Sequence, residues 1–257
     1  MSAASHQLAY LLCATPRSGT TLLCDLLEGT GQAGRPQSYY RRQDMERRAR
    51  DWDLRPADFP DQAAFDGAYL SAVLRTGAAG TGIFGLRLMW GTVGELLERL
   101  APLYPGTTEA ARLTLAFGPL VYIHVSRRDK VAQAISLLKA EQSGLWHVDA
   151  DGADRQRLAP SGPAVYDEDR IAELVDELVR DDAGWIAFFA KHRIDPIRVV
   201  YEDLASNPRA AMRKLLAAMG RPLELADDLI VKTSRMADAA SEDWGASFRR
   251  ARGLKAF

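Results

Sequence analysis

Residues 8–29 carry the pattern that most restricts how this chain can fold. Leu8–Ala14 is almost wholly apolar, which is typical of a strand buried on both faces of a parallel sheet. Residues 15–19 interrupt the apolar run with proline, serine and glycine, and Thr20–Gly29 then places leucines at helical spacing. A buried strand that turns tightly into a helix favours an α/β fold with a parallel sheet.

The alternation of strand and helix continues along the chain. The patterns predict further strands over residues 83–89, 120–125 and 197–201, and helices over residues 93–101, 130–142, 167–192 and 208–220. Residues 148–165 are polar, acidic and rich in proline and glycine, which predicts a surface loop or lid. We therefore predict an α/β fold, a mostly parallel sheet flanked by helices, in a single domain over residues 1–257.

The composition narrows the classes of function. The chain has 33 basic and 34 acidic residues, so its net charge of −1 argues against nucleic-acid binding by bulk charge. Its two cysteines, Cys13 and Cys24, lie in apolar surroundings and are predicted to be reduced and buried. No apolar stretch is long enough to span a membrane and the first residues lack a signal-peptide pattern, so we expect a cytoplasmic protein.

The loop between the first strand and the first helix is predicted to bind an anion. Thr15–Thr21 reads TPRSGTT and ends at a helix N-terminus, where free N–H groups and the helix dipole favour negative charge. Gly19 allows close approach of the backbone, the hydroxyls donate hydrogen bonds, and Arg17 adds a permanent positive charge. The spacing G-x-x-x-x-G-K-[ST] of a nucleoside-triphosphate P-loop is absent, so the motif indicates phosphate or sulfate without distinguishing them.

A second anion site is predicted where the strand over residues 120–125 ends. Arg127 and Arg128 follow this strand, and the next helix carries Ser136, eight residues after Arg128. Because the carboxyl ends of parallel strands meet at one edge of a sheet, the two sites are expected to lie close together. Two neighbouring anion sites suit a nucleotide that is phosphorylated at both ends.

The sequence offers no pattern of a metal site. The four histidines form no pair at metal-ligand spacing and there is no Cys-x-x-Cys, so we predict no metal.

The chain resembles sulfotransferases that use 3′-phosphoadenosine 5′-phosphosulfate (PAPS), and among them the bacterial trehalose 2-sulfotransferase family. The resemblance implies a P-loop-like sulfotransferase fold. It rests on segments that follow one another in order along nearly the whole chain. They are AYLLCATPRSGTTLL, GRPQSYY, FGLRLMW, RRDKVAQAISLLKAEQSGLW, YEDL and EDWGASFRRARGL.

The resemblance implies roles for the residues of both anion sites. The 5′-phosphosulfate would be bound by Arg17, Ser18, Gly19, Thr20 and Thr21. The 3′-phosphate would be bound by Ser136 with either Arg127 or Arg128, and by Arg249 or Arg250 from the terminal segment. Arg17 would also act catalytically, by neutralising the charge that develops on the leaving phosphate oxygen.

The resemblance also implies an acceptor pocket, and one departure from the family lies within it. Arg87, Met89, Trp90 and Trp146 fall where the family lines this pocket, and His147 adjoins it. The family typically has a glutamate, proposed as the general base, where this chain has Ser38, and Arg35 replaces an acidic residue. A serine hydroxyl is a poor base near neutral pH without a partner. The sequence therefore leaves open another base, an acceptor that is already acidic, or an acceptor whose negative group meets Arg35. The alternative bases are Asp44, Glu46, Glu141 and His147.

The function that follows is transfer of a sulfuryl group from PAPS to a hydroxyl of a carbohydrate or other small metabolite. Two alternatives remain at this point: a nucleoside-triphosphate phosphotransferase and a non-catalytic nucleotide-binding protein. We expect no nucleic-acid partner, no membrane span and no metal, and a homodimer stays open.

Overall fold

The computed structural model describes residues 7–148, 154–157, 162–230 and 238–255. Within these ranges the chain forms six strands and ten α-helices. The strands are β1 (Leu8–Ala14), β2 (Ile83–Met89), β3 (Leu120–Ser126), β4 (Leu145–Val148), β5 (Asp154–Arg157) and β6 (Ile197–Val200). The helices are α1 (Thr20–Gly29), α2 (Arg42–Asp51), α3 (Gln62–Ala78), α4 (Trp90–Leu100), α5 (Glu109–Phe117), α6 (Lys130–Ser143), α7 (Glu168–His192), α8 (Tyr201–Ser206), α9 (Pro208–Ala218) and α10 (Ala239–Ala251).

The central sheet is parallel and has the strand order β2-β1-β3-β6. Strand β1 lies inside the sheet, with Leu12 paired to Arg87 on one side and to Ile123 on the other. Beyond β2, Gln37 forms one parallel bridge to Leu86 and extends this edge of the sheet. The prediction of an α/β fold with a parallel sheet is confirmed.

Side chains of β1 alternate between two cores on opposite faces of the sheet, as the period of a strand requires. Ala9, Leu11 and Cys13 belong to the core that includes residues of α3, α4, α5 and α7. Tyr10 and Leu12 belong to the core on the other face, together with residues of α1 and α9. Helices therefore cover both faces of the sheet, which explains why β1 is apolar at every position.

Helix α7 connects the sheet to the helices beside it. Its N-terminal half packs Ile171, Leu174 and Leu178 against α6. Farther along, the indole nitrogen of Trp185 donates a hydrogen bond of 2.9 Å to the carbonyl oxygen of Ala14, the last residue of β1. Trp185 is fully buried, so this bond satisfies a polar group that would otherwise be costly to bury.

Most predicted elements are present, and the differences have physical causes. Tyr201 begins α8 instead of ending β6. Helices α3, α5, α8 and α10 were not predicted. In α3, buried residues lie on several sides of the helix and include Gly67 and Gly77, so no single apolar stripe marks it in the sequence.

The segment predicted as a loop or lid, residues 148–165, contains a short strand. Asp154–Arg157 forms β5, which pairs antiparallel with β4. Residues 149–153 and 158–161 of the predicted loop lie outside the described residues. Residues 154–157 are therefore a strand, because backbone pairing with β4 outweighs the polar sequence, and the surface loop or lid stays a prediction.

We expect Gly184→Ala in α7 to destabilise the fold. A Cβ atom at this position would overlap the indole of Trp90, which itself packs edge-on against Trp185 with ring centroids 5.2 Å apart. The expected loss is about 1–3 kcal/mol of unfolding free energy, as for other overpacked cores.

Gly94→Ala in α4 is the matched control. No atom lies within 4 Å of the Cβ position at Gly94, so alanine should stabilise this helix by about 0.5–1 kcal/mol. Urea unfolding of the two variants measures both changes. Equal effects of the two substitutions would contradict the packing of Gly184 on Trp90.

Candidate active site

A cavity of about 1410 Å³ opens at the carboxyl edge of the central sheet. It is lined by the loops that follow β1 and β3, by the end of β2, and by residues of α6 and α10. Its volume exceeds that of a typical pocket for one small ligand, so it can hold a nucleotide together with a second substrate. The predicted site residues that line it are Arg17, Gly19, Thr20, Thr21, Ser38, Arg87, Met89, Arg127, Ser136, Trp146 and Arg249.

The loop after β1 has a backbone that few sequences could adopt. Gly19, the N-cap of α1, has a φ angle of 86°, and α1 has no side-chain cap. A Cβ atom at Gly19 would lie 2.5 Å from the Tyr201 ring, so glycine satisfies both the conformation and the close contact. Arg17 has a φ angle of 61°, which is a strained conformation for a non-glycine residue. This loop therefore presents the first turn of α1 to the cavity.

Buried polar groups hold the loop in this shape. The side-chain amide of Gln133 on α6 donates to the hydroxyl oxygen of Thr15 at 2.9 Å and to the carbonyl oxygen of Pro16 at 2.6 Å. Ser18 is fully buried and donates its hydroxyl to the carbonyl oxygen of Thr15, so its side chain stabilises the loop and does not line the cavity. Sequence reasoning missed Gln133, although a polar residue on the apolar face of a predicted helix was a usable signal.

The Arg17 guanidinium lies across the cavity wall. Its Nε donates to the hydroxyl oxygen of Ser136 at 2.9 Å, and its Nη1 donates to the backbone carbonyl oxygen of Trp146. Burial, followed by the charge of nearby Arg127, lowers the pKa of Arg17 to about 10. Arg17 remains charged at neutral pH, and its proximity to Arg127 makes this wall favourable for a multiply charged anion.

The loop after β3 directs its two arginines to different places, a difference that the sequence could not show. Arg127 lines the cavity and stacks on the ring of Tyr201, with its guanidinium carbon 4.6 Å from the ring centroid. Arg128 points to the outside, where it pairs with Asp203 at 2.5 Å and has 53% of its side chain exposed. Glu202 accepts the N–H groups of Arg128 and Asp129, each at 3.2 Å. Arg127 is therefore the arginine that this structure brings to the site, and Arg128 is not.

The terminal helix α10 closes one side of the cavity with Arg249. Its guanidinium donates to both carboxylate oxygens of Asp129, each at 2.7 Å, and only 17% of the side chain is exposed. Arg250 is exposed and does not line the cavity. Lys139 of α6 also lines this side and pairs with Asp238.

The opposite side of the cavity is built around Ser38 and Arg87. The Nε of Arg87 donates to the hydroxyl oxygen of Ser38 at 2.9 Å, and its Nη1 donates to the hydroxyl oxygen of Thr21 at 3.2 Å. Arg35 lies outside the cavity, where it forms an exposed ion pair with Glu28 at 2.7 Å. The expectation that Arg35 meets an acceptor's negative group is therefore wrong for this structure, because Glu28 already neutralises it on the surface.

The two tryptophans predicted for the acceptor pocket have different surroundings. Trp146 lines the cavity, and the Arg41 guanidinium lies over its ring, 5.8 Å from the centroid. Trp90 does not line the cavity, because it packs against Trp185 and Gly184 in the core. His147 lies in β4, and its side chain lies outside the described part of the structure.

The three carboxylates that the sequence offered as alternative general bases do not line the cavity. Asp44 pairs with Arg47 at 3.5 Å, Glu141 pairs with Arg170 at 3.4 Å, and Glu46 is exposed on α2. The structure instead gives the cavity carboxylates that the sequence analysis did not consider. They are Asp129, Asp181, Glu202, Asp238 and Glu242.

The described residues contain neither a metal-binding cluster nor a membrane-spanning helix. Within these residues, no group of three or more His, Cys, Asp or Glu side chains is arranged to hold a metal ion. Across the same ranges, no helix combines the length and the apolar character needed to cross a bilayer.

Comparison with known proteins gives two curated relatives over nearly the full chain. A trehalose 2-sulfotransferase of Mycobacterium tuberculosis is 32% identical over an alignment 260 positions long, and the match covers 93% of this chain and 94% of the relative. A trehalose 2-sulfotransferase of Mycolicibacterium smegmatis is 31% identical over an alignment 270 positions long, and the match covers 95% of this chain and 96% of the relative.

A solved structure and a family model agree with these relatives. The sulfotransferase domain from the Synechococcus PCC 7002 olefin synthase superposes with a TM-score of 0.52 and 15% identity, covering 100% of this chain and 98% of that domain. At this identity the likeness concerns the fold. Residues 9–251 match the family model described as Stf0 sulphotransferase. The chain therefore belongs to the Stf0 sulphotransferase family and is a sulfotransferase.

Proposed function

We propose that this sulfotransferase transfers the sulfuryl group of PAPS to a hydroxyl group of a carbohydrate. The observation that carries the proposal is that one cavity holds the anion loop of Arg17 and Gly19 beside Arg127 and Ser136. A donor with phosphate groups at both ends of the nucleoside fits these two clusters of positive charge and hydrogen-bond donors. Two relatives of this chain are named as trehalose 2-sulfotransferases, which supports a carbohydrate acceptor.

The proposal does not specify trehalose as the acceptor. Ser38 stands where the family typically has a glutamate, and its hydroxyl oxygen accepts a hydrogen bond from Arg87. An acceptor bound by Ser38 and Arg87 meets a donor-rich surface, whereas a glutamate would offer it an acceptor. Because this change alters which hydroxyl pattern the site prefers, the particular carbohydrate is left to an acceptor screen.

In the proposed reaction the protein supplies position and charge. The acceptor oxygen attacks the sulfur atom in line, the bond from sulfur to the 5′-phosphate oxygen breaks, and negative charge grows on that oxygen. Arg17 would stabilise this charge electrostatically, because an arginine does not readily give up its proton. The N–H groups at the start of α1 would bind the remaining oxygens of the phosphosulfate.

We expect 3′,5′-bisphosphoadenosine to stabilise the protein more than 5′-AMP or ATP. At a hundredfold excess over Kd, binding adds about 2.7 kcal/mol, which raises Tm by about 5–10 °C for a domain of this size. Thermal-shift measurements with each nucleotide test the proposal. Equal shifts with all three would contradict a dedicated 3′-phosphate site.

Two neighbouring arginine variants identify the residue that binds the 3′-phosphate. We expect Arg127→Ala to reduce the shift with bisphosphoadenosine to that with 5′-AMP, because Arg127 lines the cavity. Arg128→Ala should retain the full difference, since Arg128 pairs with Asp203 outside it. The reverse order of the two variants would overturn the assignment.

Arg17→Ala should lower turnover more than it lowers nucleotide affinity. The Arg17 charge is needed most when the leaving oxygen becomes negative, so kcat should fall by about 10²–10³-fold. Steady-state kinetics and bisphosphoadenosine binding measure the two effects, and Arg47→Ala on the exposed face of α2 controls for loss of one arginine. Unchanged kcat with weaker binding would make Arg17 a ground-state anchor.

We expect Ser38→Ala to retain measurable turnover, with KM for the acceptor changing more than kcat. The Ser38 hydroxyl oxygen accepts a hydrogen bond from the Arg87 guanidinium. This contact suits a group that positions the acceptor, and it does not suit a base. An acceptor screen with wild type, Ser38→Ala and Ser38→Glu measures this, and the glutamate variant should move acceptor preference toward trehalose. Complete loss of turnover in the alanine variant, with bisphosphoadenosine binding intact, would refute the positioning role.

A further inference from the structure

The proposed reaction needs a group that takes the proton of the acceptor hydroxyl, and most carboxylates around the cavity are already engaged. Both oxygens of Asp129 accept hydrogen bonds from Arg249. Glu202 accepts backbone N–H groups of the loop after β3. Asp238 pairs with Lys139, which lowers the pKa of Asp238 to about 2 and makes it a very weak base. These three carboxylates hold the walls of the cavity, and Glu242 of α10 is exposed to solvent.

Asp181 of α7 differs from these carboxylates. It lines the cavity and is partly buried. Among the described residues, its carboxylate forms no hydrogen bond or ion pair. The next residue, Asp182, points to the other side, where it contacts His124 at 2.9 Å and Lys130 at 2.8 Å. The neighbouring acid therefore anchors α7, and Asp181 is left facing the cavity.

The direction of α7 places Asp181 toward the carboxyl edge of the sheet. Trp185 bonds the last residue of β1, and Phe189, one turn later, packs against Tyr122 in the body of the sheet. Helix α7 therefore runs from the carboxyl edge of the sheet toward its interior. Asp181 precedes Trp185 by one helical turn, about 6 Å, on the side away from Phe189, and it lines the same cavity as Arg17.

The acceptor side of the cavity adjoins this position. Gly184, three residues after Asp181, lies directly against Trp90, which follows the last residue of β2. Met89 and Trp146 line the same cavity as Asp181. A hydroxyl compound bound over Met89 and Trp146 would share the cavity with Asp181 and with the loop that carries Arg17.

We propose that Asp181 is the general base that accepts the proton of the acceptor hydroxyl during sulfuryl transfer. The inference rests on the proposed function. As the acceptor oxygen forms its bond to sulfur, its proton passes to the carboxylate of Asp181. The bond between sulfur and the bridging oxygen breaks, and its electron pair remains on the 5′-phosphate of the nucleotide, beside Arg17.

The charged groups around Asp181 are consistent with this role. Burial, followed by the charge of Glu177 and to a lesser degree that of Asp182, raises the pKa of Asp181, while Arg180 opposes the shift. On α6, Lys130 forms an ion pair with Asp182, and Glu141 forms an ion pair with Arg170. On α4, Glu95 and Arg99 pair with each other. A raised pKa makes a carboxylate a stronger base toward a hydroxyl proton.

The experiment compares wild type with Asp181→Asn, Asp181→Glu and the control Asp176→Asn, an exposed position on the same helix. Each protein is tested with PAPS and a panel of carbohydrate and non-carbohydrate hydroxyl compounds, and bisphosphoadenosine binding is measured separately. We expect Asp181→Asn to lower kcat by about 10²–10⁴-fold and to remove the acid limb of the pH profile, because the asparagine cannot take a proton. Nucleotide binding should stay unchanged, Asp181→Glu should recover part of kcat, and Asp176→Asn should behave as wild type.

Other outcomes overturn the inference. A kcat for Asp181→Asn within threefold of wild type would show that another group takes the proton. Loss of bisphosphoadenosine binding in the same variant would show a structural role. Transfer by wild type to non-carbohydrate hydroxyls alone would refute the proposed acceptor while still testing Asp181, and nucleotide binding with no transfer to any hydroxyl would refute both.

Discussion

The side-chain amide of Gln133 is the interaction on which the site depends. It joins α6 to the loop after β1 through the hydroxyl of Thr15 and the carbonyl oxygen of Pro16. Both elements follow strands of the same sheet, so this one buried group sets the distance between the two anion-binding regions. An unsatisfied buried amide would be costly, and the loop geometry therefore follows from the packing of α6 on the sheet.

The cavity wall brings two positively charged side chains close together. Arg17 is buried near Arg127, and this lowers its pKa to about 10. Arg17 also has a strained backbone, with a φ angle of 61°. Both features oppose folding of the empty protein and favour a bound anion, as is common where a site is preorganised for ligand charge.

The acceptor side combines a donor-rich surface with the partly buried carboxylate of Asp181. Ser38 is held by Arg87, so a base at this position would have to be a different side chain. Asp181 approaches from α7, far from Ser38 in sequence, because Trp185 ties that helix to the end of β1. A base on a different wall of the pocket would preserve the reaction. It would change which acceptor hydroxyl is aligned with the sulfur atom of the donor.

Local sequence by itself determined the α/β alternation and the loop of Arg17 to Thr21 at the start of a helix, since short-range spacing governs a strand, a tight turn and a helix start. Tertiary structure alone decided which of two adjacent arginines faces the cavity, because Asp203 draws Arg128 outward and Tyr201 supports Arg127. It also decided that Trp90 packs against Trp185 and that Asp181 lines the cavity. Side-chain direction depends on partners that are distant in sequence, and no local pattern records them.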